Sequence, residues 1–282
     1  MRDQLSTTEI LNATSDLVAR VSVPWGAILL LTLLPYRFLQ VHFIETLISV
    51  GPDASQYGEA LLRYALATCA ALLLAMYGRL VFLRACRLAA SPLRAPGAEA
   101  FKVRPLTFLT LVYTGLLFEI LLVLLSFTII AIPIVLIFAA LAAVTADRVT
   151  KPSLLEPLKQ VMQQATNAKS LAGIIFTFLF GFAVALLNLQ MIFQLGVWMA
   201  GGITGFDLSR WQALLSYHTR LFTLLTTAGA LMIAEPFWLA AHLVYVAGRE
   251  SRQSGEDLRE WFYELRGLDR PSRSRVETAR IA

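Results

Sequence analysis

Long apolar runs separated by short polar segments dominate the chain. Six runs are long enough for a helix to cross a bilayer core of about 30 Å, which takes roughly 20 residues; they are 24–50, 61–90, 105–127, 128–145, 170–200 and 220–247. The third and fourth share one unbroken stretch of about 40 residues, twice what one straight span needs, so we expect a tight turn near 126–128. The pattern predicts an all-α polytopic membrane protein with six transmembrane helices.

Amphipathic segments flank these spans and are predicted to form helices at the membrane interface. In the first, apolar residues such as Ile10, Leu17 and Val21 fall on one helical face. The predicted organisation is an N-terminal interfacial helix (1–23), four transmembrane helices (24–147), a cytoplasmic-side amphipathic helix (148–169), two further transmembrane helices (170–248), and a cytoplasmic amphipathic helix with a basic tail (249–282).

Two of the amphipathic segments begin with the spacing of a capping box, in which a hydroxyl and a Glu three residues later satisfy backbone groups at a helix start. The pairs are Ser6 with Glu9 and Ser153 with Glu156. In both places a capped amphipathic helix precedes a long apolar run, which indicates a divergent internal repeat. The alternative is that such helix starts are reused in membrane proteins without duplication.

Basic residues lie mainly in one set of connecting segments. With both termini inside, 19 of the 24 lysines and arginines fall on the cytoplasmic side and three in the outer loops, while Arg37 and Arg79 lie within spans. The positive-inside rule requires this kind of asymmetry. We therefore expect a multi-pass protein of the bacterial inner membrane with cytoplasmic N and C termini.

Composition excludes several other classes of protein. Of the 282 residues, 57% are hydrophobic and 15% are charged, whereas soluble domains carry roughly 25% charged residues. The two cysteines and three scattered histidines have no metal-ligand spacing, and the chain contains no nucleophile–base set or nucleotide-binding motif. We therefore expect no catalytic residues, no cofactor and no metal. Nucleic acid is not an expected partner, because the basic segments lie at the membrane surface.

Three ionisable residues are predicted near the middle of the membrane: Arg37, Glu119 and Glu235. Charges at this depth are costly and are therefore candidates for function. One base and two acids would leave one carboxylate free to carry a proton or bind a cation; the alternative, which we favour, is a buried Arg–Glu pair that fixes helix packing. His242 lies seven residues after Glu235 and is either a relay partner or a packing histidine.

The C-terminal segment is a candidate docking or lipid-headgroup surface. Its arginines would favour anionic lipids, and apolar residues at helical spacing form a stripe; the residues are Arg249, Arg252, Leu258, Trp261, Phe262 and Leu265. Expected partners are membrane lipids and other membrane or cytoplasmic proteins. A stripe of small residues on the second run, Ala67, Ala71 and Ala75, favours close helix contact within one chain or in a homo-oligomer.

Three stretches resemble a known family. They are LSTTEILNATSDLVARV before the first span, PSLLEPLKQVMQQATNAKS before the fifth, and EPFWLAAHLVYVAGRESRQSGEDLREW at the end of the sixth. Together they resemble the six-span membrane domain of the glycerophosphoryl diester phosphodiesterase membrane-domain group of bacterial inner-membrane proteins. The catalytic barrel and its metal-binding motifs are absent from this sequence. The resemblance therefore implies a membrane domain without the phosphodiesterase activity.

Two function classes follow from these observations. The first is a non-enzymatic integral membrane protein that serves as scaffold or accessory subunit of an envelope assembly. The second is a small transporter or lipid-handling protein in which Glu235, Glu119 and Arg37 line a pathway. The two differ in whether these residues face a water-accessible cavity or are sealed against one another.

Overall fold

A computed structural model of the chain describes residues 6–50, 58–90, 96–125, 131–146, 149, 155–165, 168–205, 207–216 and 219–254. Every regular element in these ranges is helical, which confirms the predicted all-α class. The α-helices are α1 (Thr7–Val21), α2 (Ala27–Val50), α3 (Gly58–Ala89), α4 (Pro105–Leu125), α5 (Ala131–Thr145), α6 (Glu156–Gln164), α7 (Ala168–Thr204), α8 (Ser209–Leu214) and α9 (Arg220–Ser254). A π-helical turn spans Ser22–Gly26 and a short 3-10 helix spans Ala98–Phe101.

Four helices are long and apolar enough to cross a membrane: α2, α3, α7 and α9. The other two predicted spans correspond to α4 and α5, which are apolar but shorter over the residues described. The predicted turn at 126–128 lies outside the described residues. The chain is therefore a membrane-embedded multi-pass helical protein.

Helix α1 continues into α2 through the π-helical turn. Pro24 lies in this turn, where its missing N–H removes a regular helical hydrogen bond. One buried stripe runs along both helices: Ile10, Thr14, Leu17, Val21, Trp25, Leu29, Leu33 and Tyr36. Within α1, from Ile10 to Val21, successive members of the stripe are four, three and four residues apart. From Val21 across the π turn to Leu33, they are four residues apart at each of three steps. The π turn adds the residue that this change requires, because it holds more residues than an α-helical turn.

The apolar face of α1 is buried against other helices of the protein. Ile10 and Val21 are fully buried, and α1 packs on α9, α3 and the start of α7. The predicted capping box is confirmed, because Glu9 Oε2 accepts from Ser6 N at 2.7 Å and Glu9 N donates to Ser6 Oγ at 3.2 Å. Other helices therefore cover the apolar face of α1, and the prediction that this helix lies at the membrane interface stays a prediction.

Helix α6 does not reproduce the surroundings of α1. It begins at Glu156 with Leu155 at the N-cap and without a side-chain capping bond, and Ser153 lies outside the described residues. It packs on α5 and α4, whereas α1 packs on α9 and α3. The two amphipathic helices therefore differ in their partners, and these contacts give the proposed internal repeat no support.

Helix α3 approaches two neighbours closely at positions that lack a side chain. A Cβ on Gly78 would lie 1.8 Å from Thr32 Oγ1 of α2, and a Cβ on Gly115 of α4 would lie 2.2 Å from Met76 Cε of α3. Small residues permit such close helix contacts in membranes. The alanine stripe on α3 also contributes to contacts within the chain, because Ala71 and Ala75 are buried.

Candidate functional site

Glu235, in the middle of α9, binds two arginines on two other helices. Its Oε2 lies 3.3 Å from Arg37 Nη2 of α2, and its Oε1 accepts a hydrogen bond of 2.5 Å from Arg79 Nε of α3. Glu235 is buried, with 7% of its side chain exposed, and the two arginines are mostly buried, with 15% of Arg37 and 17% of Arg79 exposed. Hydrogen bonds between ionised partners are among the strongest in proteins, so this carboxylate ties α2, α3 and α9 together.

Two neutral side chains extend the ion cluster, which we define as Arg37, Arg79, Glu119 and Glu235. Tyr36 OH donates to Glu119 Oε1 of α4 at 3.1 Å, and Arg37 Nη1 donates to Gln40 Oε1 at 2.9 Å. The Arg37 guanidinium carbon also lies 5.2 Å from the centre of the Tyr36 ring. With two arginines and two glutamates, the cluster has no formal net charge. Such pairing offsets much of the cost of placing charges in a membrane.

The helical period brings these groups together. Leu33, Tyr36, Arg37 and Gln40 lie three or four residues apart on α2 and therefore share one face. The Gly78 contact with α2 is adjacent to Arg79, and Gly115 lies one turn before Glu119 on α4. The two close approaches therefore hold α2 and α4 against α3 at the level where the cluster forms.

The structure places the three predicted ionisable residues in one region but adds a second base. Arg37 and Glu235 pair directly, and Glu119 is reached through Tyr36. Arg79 was placed within a span by the sequence but was not assigned to the cluster. Of the two alternatives drawn from the sequence, this geometry favours the buried Arg–Glu pair, while Glu119 is bound by a tyrosine and not by a base among the described residues. Counting every charge inside the apolar runs would have found Arg79; the roles of Tyr36 and Gln40 have no comparable signal.

His242 is fully buried on α9 but is not connected to Glu235 by a described hydrogen bond. Its Nδ1 lies 2.8 Å from the Trp238 carbonyl oxygen, and its ring lies edge-on to the Trp238 ring at 4.2 Å. Nε2 has no hydrogen-bond partner among the described residues. Since Glu235 is engaged by two arginines, the geometry gives no support to a Glu–His relay and places His242 in the packed interior.

The ends of several helices are joined by arginine and tyrosine side chains that bind backbone carbonyls. Tyr245 OH and Arg249 Nη1 both donate to the Gln164 carbonyl at the end of α6, at 2.8 and 2.9 Å. Arg87, near the end of α3, donates to the Val144 carbonyl near the end of α5. Arg249 was predicted to belong to the docking surface; here it makes a contact within the protein instead.

The other predicted docking residues cannot be placed in the same way. The backbone of Arg252 belongs to α9, but its side chain lies outside the described set, as do all atoms of Leu258, Trp261, Phe262 and Leu265. Their assignment as a docking or headgroup surface stays a prediction.

The cleft described in this protein is not formed by the cluster residues. A cleft of about 530 Å³ occurs at the C-terminal end of α7, between Trp198 and Ser209, and none of the four cluster residues lines it. Within the described ranges, no group of three or more His, Cys, Asp or Glu residues is arranged to hold a metal ion. What the arrangement does chemically is to fix four helices by ion pairs and hydrogen bonds.

No family model, curated protein or solved structure matches this chain. The family resemblance stated above therefore stays a prediction.

Proposed function

We propose that this chain is a non-enzymatic integral protein of the bacterial inner membrane, with six spans and cytoplasmic termini, that acts as a scaffold or accessory subunit of a membrane or envelope assembly. The observation that carries the proposal is that protein groups bind both carboxylates of the ion cluster, although Arg37 Nε is buried without a hydrogen-bond partner among the described residues. Both oxygens of Glu235 bind arginines, and Glu119 binds Tyr36. A transport pathway needs polar groups that exchange protein partners for water or solute, whereas these groups hold helices together.

Contacts at the helix ends support the six-span topology. Arg87 at the end of α3 binds the end of α5, and Tyr77 OH in α3 donates to the Phe101 carbonyl at 3.1 Å just before α4. The α4–α5 pair therefore begins and ends beside the same half of α3. If α4 crosses the membrane and α5 returns, the start of α4 and the end of α5 lie on the same side of the membrane, as these contacts require. Since the basic residues concentrate on this side, the positive-inside rule places it in the cytoplasm.

The scaffold proposal assigns the partner contact to the C-terminal segment after α9. Arg249 donates a hydrogen bond to the end of α6. The proposed docking surface is therefore the apolar stripe of Leu258, Trp261, Phe262 and Leu265, together with the arginines around it. An amphipathic helix of this kind docks in an apolar groove or on an anionic membrane surface. In this proposal the spans supply a rigid anchor and the C-terminal segment supplies the contact.

The proposal is tested by purifying two forms of the protein from native membranes in mild detergent. One is the full chain, and the other is truncated after Ser254, so that α9 and the Arg249 contact are kept. We expect a partner protein at stoichiometric ratio in quantitative mass spectrometry of the full chain and its loss from the truncated form. Equal thermal stability of the two forms is the control for folding.

A second measurement separates the scaffold from the transporter. Gln40→Cys, next to Arg37, is treated with a water-soluble thiol reagent in a background of Cys69→Ser and Cys86→Ala, with His42→Cys as the control nearer the outer end. We expect no labelling at residue 40. Labelling of Gln40→Cys, combined with purification of the chain without a partner protein, would instead favour the transport function.

A further inference from the structure

At its start helix α7 packs on α1, where a Cβ on Gly173 would lie 2.4 Å from Thr7 Oγ1; further along, its main neighbour is α9. Three pairs define its contact with α9: Phe178 with Trp238, Phe193 with Phe222, and Gln190 with Thr226. From Leu179 onward many apolar residues of α7 are exposed, among them Val184, Leu187 and Met191, and the helix is apolar along its length. Lipid can cover most of this surface, so a polar residue on it indicates a more specific neighbour.

The amide side chains of α7 differ in whether they have a hydrogen-bond partner within the protein. Gln190 Nε2 lies 3.4 Å from Thr226 Oγ1, and Gln194 Nε2 lies 3.3 Å from the Leu215 carbonyl oxygen. Asn188 is exposed and has no hydrogen-bond partner within the described part of the chain. It occupies the middle of the Lys169–Thr204 span. An unpaired amide facing hydrocarbon is costly, and polar residues of this kind pair across helix–helix contacts in membranes.

Asn188 lies within an exposed seam that has the spacing of a coiled coil. We define the α7 seam as residues that alternate at steps of three and four: Gly181, Val184, Asn188, Met191, Leu195 and Trp198. Every member is exposed. Because the 3.5-residue repeat keeps one line of side chains facing a partner helix, this pattern suits a left-handed crossing of two helices. The seam lies well away from the α9-facing side of α7.

We propose that the α7 seam pairs with the same seam of a second copy of this chain, in parallel about a two-fold axis, with Asn188 hydrogen-bonded to its equivalent. Two copies inserted with the same topology bring identical residues to the same depth, as a two-fold interface requires. An amide is self-complementary, because it contains both donor and acceptor. A single Asn at a core position of a coiled coil specifies register and the dimeric state.

Two features of the seam favour a second copy over a different partner. The seam contains no charged residue that would call for an opposite charge on a partner. Gly181 has open space where a Cβ would lie, so a neighbouring backbone can approach there. This inference goes beyond the proposed scaffold function and does not depend on it, because an anchor or a transporter could equally be dimeric.

Disulfide cross-linking of the full chain in native membranes tests the proposal. In the Cys69→Ser and Cys86→Ala background, Leu195→Cys places a thiol on the seam. Leu187→Cys is the matched control: it is 60% exposed, lies at the depth of Asn188 and points about 100° away around the helix. We expect efficient disulfide dimers from Leu195→Cys and few from Leu187→Cys. Equal yields at both positions would overturn the proposal.

The amide is tested by substitutions combined with Leu195→Cys. Asn188→Leu should weaken dimerisation by roughly 3- to 30-fold, the range expected for interhelical hydrogen bonds in membranes, while Asn188→Gln should retain it. Because residue 188 is exposed, neither change disturbs the internal packing. Native mass spectrometry in mild detergent provides the second readout. A monomeric wild-type protein, or a dimer insensitive to Asn188→Leu, contradicts the inference.

Discussion

Arg79 on α3 and Glu235 on α9 are joined by a 2.5 Å hydrogen bond between residues 156 positions apart in the sequence. Arg37 on α2 binds the other oxygen of the same carboxylate. Three helices from the two ends of the chain therefore meet at one acidic side chain. Because both bases depend on Glu235, its removal affects the cluster more than the loss of either arginine.

Glu235→Gln is predicted to destabilise the protein strongly. The substitution leaves two buried guanidinium groups without their counter-ion, and breaking a buried ion pair costs about 3–5 kcal/mol. The matched control is Glu59→Gln at the exposed Glu59–Arg63 pair, where a loss below about 1 kcal/mol is expected. The free energy of unfolding in detergent measures both.

A double substitution distinguishes charge imbalance from loss of packing. Glu235→Gln combined with Arg79→Gln removes one acid and one base, so it should be less destabilising than the sum of the two single changes. Additive losses would show that the charges act independently, contrary to the cluster described above.

Gly78→Ala is predicted to separate α2 from α3. The new Cβ would lie 1.8 Å from Thr32 Oγ1 and 2.7 Å from Thr32 Cβ, so the helices must move apart next to Arg79. We expect a lower melting temperature, partly restored by adding Thr32→Ala. Gly196→Ala is the control, because a Cβ there meets nothing within 4 Å. A melting temperature equal to that of the control variant would exclude the close approach.

Length and apolarity predicted where the membrane helices lie, but not how they pack. The runs that contain α2, α3, α7 and α9 are visible in the sequence because crossing a bilayer needs a minimum length of apolar residues. In a membrane the lipid-facing and protein-facing sides of a helix are both apolar, so sequence periodicity does not identify neighbours. The partners of α1 and α6 therefore emerge only from the structure.

The sequence predicted only part of the candidate site, because it does not show how the membrane helices pack against one another. Arg37, Glu119 and Glu235 stand out because charges are rare in apolar runs. Pairing depends on the rotation and tilt of each helix, which place Arg79 rather than His242 beside Glu235. Local sequence patterns predict structure more reliably than long-range pairing does. The Ser6–Glu9 capping box depends only on local spacing, and it forms as predicted.

The proposed six-span topology predicts that the connection between α4 and α5 is accessible from outside the cell. In the Cys69→Ser and Cys86→Ala background, Ser126→Cys should react with a membrane-impermeant thiol reagent in intact cells. Ser272→Cys, in the predicted cytoplasmic tail, should react only after lysis. If Ser126→Cys also required lysis, α4 and α5 would not form a complete hairpin across the membrane.

Acidification is predicted to loosen the segment that precedes α8. Asp207 Oδ1 accepts a hydrogen bond of 3.0 Å from Ser209 N, and this bond lowers the pKa of the exposed carboxyl below its usual value. A lowered pKa in the folded state means that the contribution to stability is present at neutral pH and is lost as the pH falls through the folded-state pKa.

Hydrogen exchange at the Ser209 amide is the measurement for this effect. Since exchange chemistry itself varies with pH, protection is compared with that of Asp207→Asn at each pH. The asparagine keeps an acceptor oxygen but does not titrate. The wild-type protein should lose protection in acid relative to the variant; parallel behaviour of the two would show that the carboxylate is not responsible.

Tyr245 and Arg249 are predicted to act redundantly on α6. Both donate to the Gln164 carbonyl, so Tyr245→Phe or Arg249→Gln alone should cost about 1 kcal/mol or less of unfolding free energy, because the other donor still satisfies the oxygen. The double variant leaves the carbonyl without either donor and should cost more than the sum, about 1–3 kcal/mol. Faster hydrogen exchange in α6 should accompany this loss.

The control is Tyr77→Phe, which removes a donor to Phe101 instead and should leave hydrogen exchange in α6 unchanged. Additive effects of the two changes would mean that the Gln164 carbonyl does not link the end of α9 to α6.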